Sequence, residues 1–232
     1  MVATNETVFK VVKAFSEPWA AEFRQDLWSP CHLFPDPIAS EWQRVVEDYL
    51  PKENPTYLEF GTFTGAGSTY NALLANPKLK VITFDLFQLT PRYCYEFDDG
   101  HTLFDATNAL GEKYAAVRGL CTTLQAAMYN LWDFQDRTAI FRQRTGANLM
   151  QRLADAGVVP DLFFIDDDHT AGPTFERIEA ASRLWPDALV GVDDYCSAWP
   201  AVMQSVDRAF EEGLYSKENS ELLADRVYLL RK

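Results

Sequence analysis

Two short acidic clusters close two apolar runs in the C-terminal half of the chain. Asp161-Leu-Phe-Phe-Ile165 leads into Asp166-Asp167-Asp168-His169, and Ala188-Leu-Val-Gly-Val192 leads into Asp193-Asp194-Tyr195. Each run reads as a buried parallel strand that ends in charge. Carboxylates gathered at one sheet edge repel each other unless a cation or a shared proton compensates them, and a bound divalent metal does so most simply. The 27 residues from Asp166 to Asp193 leave room for one helix and a return strand, which sets the two strand tips side by side. The competing arrangement is purely structural, with Asp193 and Asp194 paired to arginines.

A second constellation lies upstream. Tyr57-Leu-Glu-Phe60 has the pattern of a strand, Gly61-Thr-Phe-Thr-Gly65-Ala-Gly67 is a glycine loop, Ser68 to Ala75 is helical up to the stop at Asn76-Pro77, and Val81-Ile-Thr-Phe84-Asp85 is the next strand. Such a βαβ unit has a right-handed crossover and takes its ligand at the carboxyl ends of the strands. Glycines let the backbone come close to that ligand. Asp85 stands 24 residues beyond Gly61, where a carboxylate can accept hydrogen bonds from both hydroxyls of a ribose. The order Glu-x-Gly-x-x-x-Gly-x-Gly does not satisfy the Gly-x-Gly-x-x-Gly dinucleotide fingerprint, which counts against a nicotinamide oxidoreductase.

These elements need a frame. The chain has 232 residues, of which 47% are hydrophobic, enough for one α/β domain with a full core spanning residues 1–232. Residues 1–55 read as a helical N-terminal cap, with one helix over about Glu6 to Phe15 and another from the Asp36-Pro37 start to Leu50, packing across a sheet edge or roofing a cleft. The aromatic-rich stretch 86–137 exceeds what a single crossover needs and is expected to supply a lid or acceptor pocket, or else core packing, with helices over Ala106–Lys113 and Thr122–Leu131 and a turn at Asp98-Asp99-Gly100-His101. Further strands are expected at Thr138–Arg142 and Arg226–Leu230, the last antiparallel and near an edge, and further helices at Asn148–Ala156, Pro173–Leu184 and Ala201–Glu212. The alternation gives a doubly wound, mostly parallel sheet.

The net charge of -13, with no basic cluster, argues against nucleic acid or an anionic membrane as partner and leaves a small molecule. Cys31, Cys94, Cys121 and Cys196 are scattered without a CxxC pair, which suggests reduced thiols. The N-terminal apolar residues are interrupted by Lys10 and Lys13, unlike a signal peptide, and no stretch approaches the roughly 20 apolar residues of a membrane span, so a cytoplasmic location is expected. The residues leave the oligomeric state open, a homo-oligomer included.

The glycine loop, Leu58-Glu59-Phe60-Gly61 through Gly67, together with Asp85, resembles the first motifs of class I S-adenosylmethionine methyltransferases. Phe164-Ile165-Asp166-Asp167-Asp168-His169-Thr170, Asp193-Asp194-Tyr195, Trp199-Pro200-Ala-Val202 and Val206-Asp207 are similar to the metal-dependent O-methyltransferases that modify sugar hydroxyls in macrolide and aminocoumarin biosynthesis; catechol O-methyltransferase shares the site plan more distantly. The likeness covers about 57–210, apart from most of 86–137. It implies a Rossmann-like methyltransferase fold. Glu59, Gly61, Phe63, Gly65, Gly67 and Asp85 would then serve S-adenosylmethionine, with Glu59 supporting the loop, while Asp166, Asp193 and Asp194 would be metal ligands whose hard oxygens favour Mg²⁺. His169 matches the general base, with an ordinary pKa of roughly 6.5; its competing role is a hydrogen bond to a neighbouring loop. His32 and His101 have no acidic setting and read as solvated or structural. The acceptor implied is a small hydroxylated molecule, a sugar among the candidates, in natural-product biosynthesis. Two departures stand out: Asp167 where the family has glycine, and Ala171 where it has an aromatic, leaving open whether Asp167 or Asp168 also binds metal. A cofactor-binding protein of this fold with other chemistry, or with none, is the alternative.

Overall fold

The computed structural model describes residues 5–19, 37–51, 53–87 and 123–232. Most of the 86–137 segment, including the helix expected over 106–113 and the turn at 98–101, lies outside the described residues, as do His32, His101, Cys31, Cys94 and Cys121.

Seven strands form one sheet: β1 (Thr56–Phe60), β2 (Lys80–Asp85), β3 (Thr138–Arg142), β4 (Leu162–Ile165), β5 (Leu189–Val192), β6 (Glu221–Leu223) and β7 (Val227–Leu230). Their spatial order is β3-β2-β1-β4-β5-β7-β6. β1 to β5 pair in parallel, and β7 runs antiparallel to both β5 and β6. The antiparallel strand is where the sequence puts it, but β6 covers its outer side and takes the edge. Three residues are too few to show a period of two, so β6 left no pattern to read.

Every residue of β1 and β4 is buried, because helices cover both faces. Alternate side chains serve opposite cores. Leu58, Phe60, Phe163 and Ile165 pack with α1 (Asn5–Lys13), α5 (Ala147–Asp155), α6 (Ala171–Leu184) and α7 (Pro200–Glu211), while Tyr57, Leu162 and Phe164 pack with α2 (Ile38–Tyr49), α3 (Ser68–Ala75) and α4 (Thr123–Asn130). α2 reaches the edge strand, where Arg44 lies 2.6 Å from Glu221 of β6 and Glu41 accepts from the Ala224 N–H at 2.8 Å, and Trp42 is fully buried, its ring 4.7 Å from that of Phe164 and its indole N–H donating to the Ser68 carbonyl at 3.0 Å. Burial of the tryptophan holds the helix on the sheet face as well.

β1 has β2 on one side and β4 on the other. The chain runs outward from β1 through β2 to β3 and then crosses back to β4 on the other side of β1, so a crevice opens beyond the carboxyl ends of β1 and β4.

Candidate functional site

The glycine loop leaves β1 at this crevice. Gly61 adopts φ +99°, and a Cβ there would lie 2.1 Å from the Asp166 carbonyl oxygen. Only a residue without a side chain allows the loop after β1 to touch the loop after β4 so closely. Phe63 also has positive φ, +48°, and its N–H donates to Asp85 Oδ2 at 2.8 Å; Asp85 Oδ1 accepts from the Phe87 N–H at 2.7 Å. A carboxylate oxygen has two lone pairs, so Asp85 keeps capacity for a diol after bracing the loop. Burial raises its pKa, and the backbone N–H groups work against that rise.

Glu59 faces the other way. Its buried carboxylate accepts from Tyr57 Oη at 2.9 Å, from Thr83 Oγ1 at 2.6 Å, and from the hydroxyls of Ser68 and Thr69. Burial pushes its pKa up while the four hydroxyls pull it down. Four donors occupy its acceptor capacity, so Glu59 ties β1 to β2 and to the start of α3. Gly65 has φ +68° within the loop, and Gly67 precedes α3.

At the second pair of strand ends, the ladder continues into the acids. The Asp166 N–H donates to the Phe60 carbonyl at 2.8 Å, and the Asp193 N–H to the Ile165 carbonyl at 3.0 Å. Asp194 then turns with φ +59°. One ligand atom each from Asp166, His169 and Asp194 lie within 4.8 Å of one another, so two of the three expected metal ligands come together with the expected base, while Asp193 is not in the group. His169 Nε2 is 2.8 Å from Asp194 Oδ2 and 3.6 Å from Asp166 Oδ1, yet this buried nitrogen has no aligned hydrogen bond. The two carboxylate oxygens offer hard ligands that fit a divalent cation, and the imidazole nitrogen stands beside them. Trp199, just before α7, stacks on the imidazole at 4.3 Å with the rings inclined by 30°.

Electrostatics follow from the crowding. Burial raises the Asp166 pKa well above its ordinary value, and Asp193 adds to the rise. For His169, burial acts downward, but the carboxylates of Asp166 and Asp194 outweigh it and lift the pKa to about 10.

The other acids of the clusters are engaged elsewhere. Asp193, 2% exposed, meets Arg226 through both oxygens, Nε to Oδ1 at 3.0 Å and Nη2 to Oδ2 at 3.3 Å. Arg226 Nη2 also lies 3.0 Å from Asp194 Oδ1, so the arginine pairing expected of the structural alternative is present for both aspartates, with Asp194 keeping its second oxygen toward His169. Asp167 Oδ2 pairs with Arg177 of α6 at 2.8 Å and accepts from the Thr145 hydroxyl. Asp168 Oδ1 accepts from the N–H and hydroxyl of Thr170, at 3.0 and 2.6 Å, at the start of α6. Asp167 and Asp168 thus each have local partners. Tyr195 donates to Asp207 at 3.1 Å and packs against Tyr228. Arg226 and Arg177 escaped sequence reasoning because neither sits in a motif; the signal for Arg226 is its place at the head of the last apolar run.

No family model matches the chain, and no curated protein does. Solved structures do. A protein of Staphylococcus aureus assigned as a caffeoyl-CoA O-methyltransferase superposes with a TM-score of 0.51 at 14% identity, over 86% of this chain and 85% of its own. The fold is that of Rossmann-like methyltransferases. An O-methyltransferase from Bacillus cereus in complex with SAH gives a TM-score of 0.49 at 18% identity over 98% and 90% of the two chains, and CalS11, the TDP-rhamnose 3'-O-methyltransferase of calicheamicin biosynthesis, gives 0.48 at 17% over 83% and 76%. Among the described residues, no helix is long and apolar enough to cross a membrane.

Proposed function

We propose that this chain is an S-adenosylmethionine-dependent O-methyltransferase that acts, with a divalent cation, on a hydroxyl of a small molecule. The observation that carries the reading is the convergence of Asp166, Asp194 and His169 next to Gly61, at the crevice where the fold takes its ligands.

Gly61, Phe63, Gly65 and Gly67 offer backbone to S-adenosylmethionine, Asp85 accepts from its ribose, and Glu59 holds the loop from beneath. Asp166 and Asp194 would hold the cation, with Mg²⁺ the expected species. Such a cation would supply a lowered pKa for an acceptor hydroxyl and would take up the charge of the carboxylates that raises the His169 pKa. His169, its ring held by Trp199, takes the proton as the acceptor oxygen forms its bond to the methyl carbon; the C–S bond breaks and its electrons stay on the sulfur of S-adenosylhomocysteine. Positioning and charge neutralisation supply most of the acceleration. A sugar-like acceptor from natural-product biosynthesis suits the resemblance of the acidic motifs.

Calorimetry with S-adenosylmethionine and S-adenosylhomocysteine tests the cofactor half, and absence of binding by either ends the proposal. Transfer of labelled methyl groups to a panel of hydroxylated acceptors tests the rest: product should form with Mg²⁺, disappear with EDTA, and fall by about 10²- to 10³-fold in His169→Gln.

A further inference from the structure

The last hairpin of the sheet delivers a cation to the acidic site. Ala224 and Asp225 have φ of +46° and +55°, and the Arg226 N–H closes the turn on the Leu223 carbonyl at 2.9 Å. Two left-handed residues in a tight turn match the twist of paired strands, so the head of β7 is held firmly. The Arg226 carbonyl then accepts from the Tyr195 N–H at 2.7 Å, pinning the hairpin to the loop that carries Asp194. From this anchored backbone the guanidinium uses Nε and Nη2 on the two oxygens of Asp193, and Nη2 also lies 3.0 Å from Asp194 Oδ1. A planar fork of this kind fixes a carboxylate in direction as well as in charge.

The consequence is an asymmetry between adjacent aspartates. Asp193 has both oxygens on Arg226 and a side chain only 1% exposed, whereas Asp194 gives one oxygen to Arg226 and turns the other toward His169 and Asp166. With His169 neutral, three carboxylates against one guanidinium leave two negative charges, the complement of a dication.

We infer that Arg226 is a positioning residue that withdraws Asp193 from the cation and aims Asp194 at it, so that Asp166 and Asp194 are the carboxylate donors and Asp193 is not. The inference rests on the cation reading above, and the test separates the two. Mn²⁺ binding is followed by electron paramagnetic resonance and calorimetry in wild type and in Asp193→Asn, Asp194→Asn, Arg226→Gln and Arg226→Gln/Asp193→Asn, each checked for cooperative melting. Asp194→Asn should weaken binding at least thirtyfold. Asp193→Asn should change it by less than threefold while Arg226 is present, but by tenfold or more in the Arg226→Gln background, where Asp193 is released toward the ion. A residue that merely held the hairpin together would not produce that coupling. Equal losses in the two single aspartate variants overturn the inference and leave the cation reading standing; no Mn²⁺ or Mg²⁺ binding by wild type removes both. Should Asp193→Asn not fold, the Arg226 Nε–H resonance of the wild type decides: it should stay protected when Mg²⁺ is added, and its loss means that Asp193 has moved to the ion.

Discussion

On the β1–β2 side of the crevice, buried acids are answered by uncharged donors; on the β4–β5 side, they are answered by charge. Glu59 has four hydroxyls and Asp85 has two backbone N–H groups. Asp167 has Arg177, Asp193 has Arg226, and Asp194 has Arg226 and His169. Neutral donors fix the shape of a loop without creating a strong field, which suits contact with a cofactor through backbone and diol. Paired charges create a strong field and leave its balance adjustable by one more ion. The division of labour, shape on one side and charge on the other, is what the proposed reaction needs.

Gly61 is where the two sides touch, and its substitution should have the largest effect on stability. A methyl group at this position would meet the Asp166 carbonyl oxygen at 2.1 Å, and the backbone φ of +99° is one that alanine avoids. Gly61→Ala is therefore expected to cost about 4 kcal/mol in urea unfolding. A cost below about 1 kcal/mol would mean that the loops move apart freely and that the two sides do not share a site. Next comes the pair buried under the acidic side. Arg177 and Asp167 side chains are 6% and 8% exposed, so Asp167→Ala strands a guanidinium and should cost about 3 kcal/mol. Adding Arg177→Met should recover most of the loss, because a well-packed apolar side chain replaces the stranded charge. If the double variant is no better than the single one, charge balance is not what holds this side together.

The sequence made the shape side legible and the charge side only half so. Glycines at 61, 65 and 67 and an acid closing β2 are local features, and local spacing translated directly into a loop, a helix start and a brace. The acids at 166, 193 and 194 were equally visible, and parallel strand topology correctly predicted that their tips would meet. Their partners were not visible. Arg226 lies beyond a three-residue strand and a tight turn, and Arg177 lies on the buried face of α6, so both pairings depend on tertiary packing that no period encodes. The extra acid at Asp167 looked like a spare ligand, and only the position of α6 shows that its carboxylate turns toward Arg177 instead. Trp42 teaches the same lesson for the fold: its helix was plain, but the face it covers was set by a long-range contact with Phe164.

Replacing Glu59 by Gln should have a smaller effect, roughly 1 to 2 kcal/mol, since hydroxyls can turn to accept from an amide as well as donate to a carboxylate. A cost above that of Asp167→Ala would reverse the contrast between the two sides. The smallest effect, of order 1 kcal/mol, should appear in the pH dependence of protein stripped with EDTA. His169 is lifted from its ordinary 6.5 to about 10, so the folded state holds this proton more tightly than the unfolded chain does. Its contribution is fully present below about pH 6.5 and is lost as pH rises toward 10. Asp166, Glu59 and Asp85, whose pKa values burial also raises, act with the same sign, so the His169→Gln variant is what isolates the histidine. Stability measured by urea unfolding should therefore decline between about pH 6.5 and 9, a range that stops short of ordinary tyrosine titration. The decline stays modest because the imidazole is 29% exposed and water screens part of the interaction. Saturating Mg²⁺ should flatten the curve by neutralising Asp166 and Asp194, and His169→Gln should flatten it without Mg²⁺. A slope that survives in His169→Gln would place the proton on another group and break the link between the acidic side and the histidine.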